Sequence, residues 1–374
     1  MKPPSLTIGI EEEYQVIDPK TLELKSYITE ILQGDKVIMD EIKPELHQSM
    51  VEVGSKVCRT PDELRGEIVR LRGMVMDLAA RSGLVIAAAG THPFSLWTEQ
   101  EITPLERYLG VKADLADLAQ QLLIFGTHIH VGIEDKEFLV DVMNVSRYLL
   151  PHLLALSTSS PFWQGRDTGL KSFRTTVFRR FPRTGIPDHY NSWSEYEEYL
   201  NMLVELHCID SGKKVWWDLR PHPHFGTLEF RVCDVPTSPR VTVCLAALCQ
   251  AIVVKLYRLR RSNLGFRTYA RALVEENKWR AARYGIDGSL IDFGKRQEVP
   301  MRELALELLD FLDDVVDDLG SRSAVEYVRT IIDEGTSADK QLAVFRRTGD
   351  LREVVRWLVE ETRASNRSAA GGAR

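Results

Sequence analysis

The sequence predicts an α+β protein with a largely antiparallel sheet. Three observations predict it. Strand-like segments concentrate in the first two-thirds of the chain, and helical periodicity dominates the end. No regular strand–helix alternation appears, as a doubly wound sheet or an eight-fold barrel would require. Lys214–Pro236, "KVWWDLRPHPHFGTLEFRVCDVP", reads as a hairpin, two β-rich runs around a Pro/His/Gly turn.

The first strand is "TIGIEEEYQV", Thr7–Val16. Alternation puts Ile8, Ile10, Glu12, Tyr14 and Val16 on one face and Gly9, Glu11, Glu13 and Gln15 on the other. Asp18-Pro19 is a turn signal. "HQSMVEVGSKV", His47–Val57, reads as a second strand with Met50, Glu52 and Gly54 sharing a face. Thr60 as N-cap, Pro61 at the first position and Glu63 in a capping box then open a helix. Its apolar positions are Leu64, Ile68, Leu71, Val75 and Leu78, and Gly83 can end it. "LVIAAAG", Leu84–Gly90, is a short buried strand. A helix over Leu105–Leu122 leads into a strand over Leu122–Ile133. Glu137–Leu156 reads as helical with a break at Pro151, and Phe173–Asn191 as a basic loop.

From Pro239 onward the chain reads as mainly helical: Val241–Tyr257, Tyr269–Arg283, Arg302–Leu319, Ala324–Ile332 and Leu351–Thr362. The apolar run Val241–Tyr257 is short for a membrane span and contains Gln250 and Lys255, so it reads as a buried core helix. Residues 1–364 form one domain in this reading, and 365–374, "SNRSAAGGAR", a disordered tail.

The chain has 374 residues, a net charge of −6, 44% apolar and 27% charged residues. That is the balance of a soluble globular protein, without the basic footprint of a nucleic-acid binder. The N-terminus lacks the apolar core of a signal peptide. Five cysteines form no CxxC pair and no zinc-finger spacing, which suggests reduced thiols in the cytosol. No membrane or nucleic-acid partner is expected, and the composition leaves room for a homo-oligomer.

Four strand candidates carry polar groups that an inert sheet would not need. Glu11 and Glu13 share a face, Glu52 sits in the second strand, and His128 and His130 share a face in "GTHIHVGI". In "GTLEFRV", Glu229 and Arg231 share a face while Leu228, Phe230 and Val232 make the opposite one apolar. Neighbouring carboxylates on one face repel unless a cation sits between them. Oxygen-rich ligand sets with one imidazole suit Mg²⁺ or Mn²⁺. Such clusters neutralise phosphate charge in phosphoryl transfer, which also calls for arginines. "KSFRTTVFRRFPR" supplies Lys171, Arg174, Arg179, Arg180 and Arg183 without an acidic residue; "NKWRAARYG" adds Lys278, Arg280 and Arg283. Arg220, two residues from Asp218, reads as half of a local structural pair. No Walker A or GxGxxG motif is present, so side chains and metals would hold any nucleotide. A metal-dependent amide hydrolase could use the same carboxylate/His cluster, although it would ordinarily want more histidine or cysteine ligands. A non-catalytic glutamate- or nucleotide-binding protein is a third reading.

"GIEEEY", "VEVGS", "GTHIHVG", "RTTVFRRFPRTGIP", "DLRPHPHFGTLEFRVCD" and "ENKWRAARYG" occur in this order. Together they resemble the glutamate–cysteine ligase type 2 family, specifically the bacterial carboxylate–amine ligases. The resemblance implies a glutamine synthetase-like catalytic fold: a sheet curved around a metal-filled funnel, helices on the outer face and a helical C-terminal third. It implies an ATP-dependent reaction in which a carboxylate, typically the γ-carboxylate of glutamate, is phosphorylated and an amine then displaces phosphate. Carried over by motif, Glu11, Glu13, Glu52, His130 and Glu229 would be metal ligands, and Glu229 and Arg231 would act at the reacting groups. Arg174, Arg179, Arg180, Lys278 and Arg283 would hold the phosphates of ATP. Glu12 should face away and be partnered separately. The enzyme would be cytoplasmic, with small-molecule substrates; the resemblance does not fix the amine.

Overall fold

A computed structural model describes residues 2–27, 41–222 and 224–371. Seven strands form the main sheet: β1 (Ile8–Ile17), β2 (Ile42–Pro44), β3 (Met50–Gly54), β4 (Val85–Ala87), β5 (Gly126–Gly132), β6 (Leu219–Pro221) and β7 (Thr227–Asp234). Their order is β6-β7-β5-β1-β3-β2, with β4 paired to β1 on the same edge as β5, beyond the end of the β5 pairing. All these pairings are antiparallel, as expected from the sequence.

The register aligns the polar residues. Glu11 lies opposite His128, Gly9 opposite His130, Glu13 opposite Glu52, and Glu229 opposite His130. Because side chains alternate, the matching set Ile8, Ile10, Ile129, Val131, Leu228, Phe230 and Val232 falls on the other face. Those side chains are buried in one apolar cluster. Helix Pro239–Arg261 packs over this face. Its length and hydropathy would suffice to cross a membrane, yet 78% of its apolar window is buried inside the fold.

Helix α1 (Pro61–Arg81) begins as its sequence dictates. The Thr60 hydroxyl accepts the Glu63 N–H at 3.2 Å, while the Glu63 carboxylate reaches back to the Arg59 N–H at 2.7 Å. Leu64, Ile68, Leu71, Val75 and Leu78 are its buried stripe. Gly83, at φ +70°, turns the chain away after the helix ends.

Five segments differ from the sequence reading. The helix expected over Leu105–Leu122 is α2 (Glu106–Leu115) and a short turn, Asp117–Gln120, broken at Ala116 where φ is +49°. The basic segment is not all loop: Phe173–Phe178 forms a short helix, α3. Two helices without a strong apolar stripe in the sequence, Trp193–Glu205 and Ser337–Thr348, also form. The supposed tail continues the last helix, which runs Leu351–Gly371. Asn366 donates to the Val69 carbonyl at 3.2 Å, Ser365 to the Thr237 carbonyl at 3.3 Å, and Ala369 is buried. Small and polar residues are held there by α1, a partner some 300 positions away that local composition cannot reveal. Residues 372–374 lie outside the described residues.

Candidate active site

β1 carries Glu11 and Glu13 to the open face of the sheet. β5 adds His128 and His130, β7 adds Glu229 and Arg231, and β6 adds Arg220. Most of them line a cleft of about 640 Å³, whose walls include Leu46, Met50, Tyr108, Ile124, Phe178 and Trp216.

At one end of this floor, Glu11, His130 and Glu229 each offer a ligand atom, all within 4.8 Å of one another. One Glu11 oxygen lies 3.1 Å from Nδ1 of His128, and the other 3.8 Å from Nε2 of His130. His130 Nδ1 lies 3.1 Å from the Thr227 hydroxyl, which orients the ring. Its Nε2 is buried without a hydrogen-bond partner. An oriented imidazole aimed at two carboxylates is what a divalent ion needs, and the donor set of two carboxylates and one imidazole suits Mg²⁺ or Mn²⁺. Both carboxylates are ionised. Burial alone would raise Glu11, but the hydrogen bond with His128 and the nearby His130 imidazole outweigh it and hold its carboxyl well below the usual range. Burial opposes ionisation of Glu229 too, and the charges of Arg231 and Arg220 overcome it. Arg220 Nε donates to Glu229 at 2.8 Å, and Arg231 pairs with its other oxygen.

Glu13 and Glu52 share the floor but stand apart from that trio, opposite each other across β1 and β3. Glu13 accepts the Gly126 N–H at 2.6 Å. A third carboxylate, Glu45, joins them and accepts the Tyr108 hydroxyl at 2.7 Å. Sequence reasoning missed Glu45 because it follows β2 in "KPEL", where no alternation flags a face. Burial, and then the neighbouring Glu45 charge, pushes Glu13 up to about 7. Burial also pushes Glu45 up to about 7, and Glu52 well above its usual range with help from Glu11 and Glu45. Among the described residues, neither Glu13 nor Glu52 forms an ion pair.

This arrangement predicts a pH-dependent metal effect. Carboxyls with pKa near 7 hold protons below that pH, and a cation entering the cleft must displace them. The rise in melting temperature caused by Mg²⁺ should therefore be larger at pH 8 than at pH 6. Equal shifts at the two pH values would mean that these carboxylates do not face the ion.

The expected phosphate-binding cations divide. Arg174 is buried and lines the cleft, as does Arg231. Arg179 pairs instead with Glu275, and Arg180 donates to the Gln121 side chain at 2.6 Å. Lys278 is locked to Asp218 at 2.5 Å, both buried, and Arg283 donates to the Gly169 carbonyl. None of these four lines the cleft among the described residues. A local count of charges cannot name these partners, because Glu275 is distant in sequence from Arg179 and Asp218 from Lys278. With Asp218 taken by Lys278, Arg220 pairs across the hairpin with Glu229 rather than with its near neighbour. The hairpin register, Arg220 opposite Glu229, was the available signal.

A model of glutamate-cysteine ligase family 2 matches residues 7–357. A protein of Herpetosiphon aurantiacus provisionally named glutamate–cysteine ligase 2 is 58% identical over 357 residues, 95% of this chain and 93% of that one. One of Roseiflexus castenholzii, with the same provisional name, is 59% identical over 95% of this chain and 94% of its own. Among solved structures, glutamate–cysteine ligase from Francisella tularensis in complex with AMP aligns with 99% of this chain and 90% of its own, at TM-score 0.70 and 14% identity. A bifunctional glutathione synthetase from Pasteurella multocida aligns with 97% of this chain and 52% of its own, also at TM-score 0.70 and 14% identity. These two likenesses establish a shared fold with mixed helix and sheet.

Proposed function

The chain belongs to glutamate–cysteine ligase family 2, and from that premise we propose that its cleft joins the γ-carboxylate of glutamate to an amine at the expense of ATP. The activity is that of an ATP-dependent carboxylate–amine ligase. The observation that carries the reading is the Glu11–His130–Glu229 cluster, whose Glu11 lines one cleft together with Arg174, Arg220 and Arg231. Hydrolysis of an amide would not call for buried Arg220, Arg231 and Arg174 around the carboxylates. We read the sheet as a glutamine synthetase-like catalytic sheet, the cleft as its funnel, and residues 1–364 together with the helical extension as a single catalytic unit.

In this reading Glu11, His130 and Glu229 hold one Mg²⁺ or Mn²⁺, and Glu13, Glu52 and Glu45 favour further positive charge. Bound there, the ions would neutralise the phosphate charge during transfer. The substrate carboxylate oxygen attacks the γ-phosphorus, the bond to the β–γ bridging oxygen breaks, and ADP leaves. The amine then attacks the carbonyl carbon of the acyl phosphate, the carbon–oxygen bond to phosphate breaks, and the amine releases a proton. Arg231 fits the role of steering the transferring phosphoryl group, since it points from the cleft floor beside Glu229. Glu229 is held ionised by Arg220 and Arg231, so it stays a charged ligand at neutral pH. The five free cysteines favour a cytoplasmic setting, and the substrates are small molecules.

The test is to intercept the acyl phosphate. With Mg-ATP, glutamate and hydroxylamine, the protein should yield γ-glutamyl hydroxamate and an equal amount of ADP. Omitting ATP or the divalent ion should abolish both products. No ATP-dependent hydroxamate from a panel of carboxylic acids, with both Mg²⁺ and Mn²⁺ tried, would sink the ligase reading.

A further inference from the structure

We propose that Arg174, seated over Gly126, binds the carboxylate of the acid substrate that does not react, and so selects a dicarboxylic acid over a monocarboxylic one. The assignment rests on the ligase reading above, and moves Arg174 from the nucleotide to the acid substrate.

Arg174 is only 3% exposed, yet it forms no ion pair among the described residues. Its Nη2 reaches the Arg231 carbonyl at 3.4 Å, a long hydrogen bond, and its Nε has no partner. The carboxyls of Asp234 and Glu13 act on it through space, without a hydrogen bond or ion pair, and a buried guanidinium with so few hydrogen bonds is costly unless an anion completes it. Arg231 adds a second buried Nε–H without a partner in the same cleft.

The sequence makes room for this guanidinium. A Cβ at Gly126 would lie 2.3 Å from Nη2, 2.8 Å from Cζ and 2.9 Å from Nε of Arg174. Those are the three nearest atoms, and all belong to one side chain. Gly126 sits in β5 without a positive φ, so its backbone does not require glycine. The missing side chain is needed for the close approach of Arg174.

Position separates the two anions of the reaction. Gly126 is two residues from His128 on β5, about 7 Å along the strand. His128 lies opposite Glu11, at the ion-binding end of the floor. The phosphoryl group and the reacting carboxylate must meet at that end. A second carboxylate on a short dicarboxylic acid then reaches Arg174, whose planar fork matches it. Phe178, Leu122 and Ile124 nearby in the cleft suit the methylene chain between the two.

Kinetics and direct binding of the full chain test this. In the hydroxamate assay, wild type should prefer glutamate to 4-aminobutyrate, which keeps the reacting carboxylate and lacks the other. Arg174→Met should raise KM for glutamate about 10–100-fold, the loss of a charge-assisted hydrogen-bonded pair. KM for ATP should stay within about two-fold, and turnover of 4-aminobutyrate should be unaffected. Gly126→Ala, which keeps the charge but displaces it, should act in the same direction and add little in an Arg174→Met background. A rise in KM for ATP alone, or a Gly126→Ala effect undiminished in that background, would overturn the assignment. Equilibrium dialysis of labelled glutamate needs no turnover. If wild type binds glutamate, undiminished binding by Arg174→Met overturns the assignment whether or not hydroxamate forms. Absence of glutamate binding by wild type overturns it as well. Absence of hydroxamate alone tells against the ligase reading.

Discussion

Glu11→Gln is expected to lower turnover about 10²–10³-fold, the usual cost of removing one charge aimed at a reacting centre, while the protein melts close to wild type. The contrast follows from where Glu11 sits. Its side chain is 30% exposed, and its near partners are imidazoles rather than a buried cation. Glutamine keeps the shape and can still meet His128, so folding loses little. The ion site loses one of two full negative charges, and the amide oxygen is a weaker ligand. The Mg²⁺ concentration for half-maximal activity should therefore rise as well, and excess Mg²⁺ should restore only part of the rate. A kcat within ten-fold of wild type at saturating Mg²⁺ would remove Glu11 from the site. Glu229→Gln is a less clean test, because Glu229 also neutralises Arg220 and Arg231, and its loss strands two buried guanidinium groups.

Much of this site is legible from strand alternation alone. A period of two places Glu11 and Glu13 on one face, His128 and His130 on another, and Glu229 beside Arg231, and the antiparallel register brings these faces into one floor. The grouping of the candidate ion ligands was less legible, since alternation names a face and not a distance. Glu13 and Glu52 share the face of Glu11 but lie further along it. Residues fixed by tertiary pairing were not legible. Arg179 sits in a run without acidic residues, yet Glu275 claims it, and Lys278 pairs with distant Asp218 rather than with the glutamates beside it in sequence. Glu45 sits just past a three-residue strand, too short to show a pattern. The helical end at 365–371 is ordered by contacts with α1 and Thr237, not by its own composition.

Glu12→Gln is expected to destabilise the fold by about 3–5 kcal/mol, the cost of breaking a buried ion pair from one side, and to change substrate KM values little. Glu12 is the middle of three consecutive glutamates, and alternation turns it to the face opposite Glu11 and Glu13. There it is fully buried with Arg72, which donates from Nε at 2.9 Å and from Nη2 at 2.8 Å. Thr242 donates to the same carboxylate at 2.6 Å, and Tyr14 also donates to it. Arg72 continues to the carbonyls of Pro236 at 2.9 Å and Thr237 at 2.7 Å. One ion pair thus ties β1 to α1, to the chain just after β7 and to the start of the helix over Pro239–Arg261. Glutamine keeps the volume but removes the charge, and Arg72 is left as an uncompensated buried cation. Urea unfolding should therefore show a lower midpoint with an unchanged slope. Removing both charges with Glu12→Gln and Arg72→Met should recover part of the loss, because the cost lies in the stranded charge rather than in the pair itself. Glu12 is for this reason a poor neutral control for Glu11, despite being its neighbour: one carboxylate serves the cleft, the other holds the strand that presents it. A Glu12→Gln protein with the unfolding midpoint of wild type would show that this buried pair does not anchor β1.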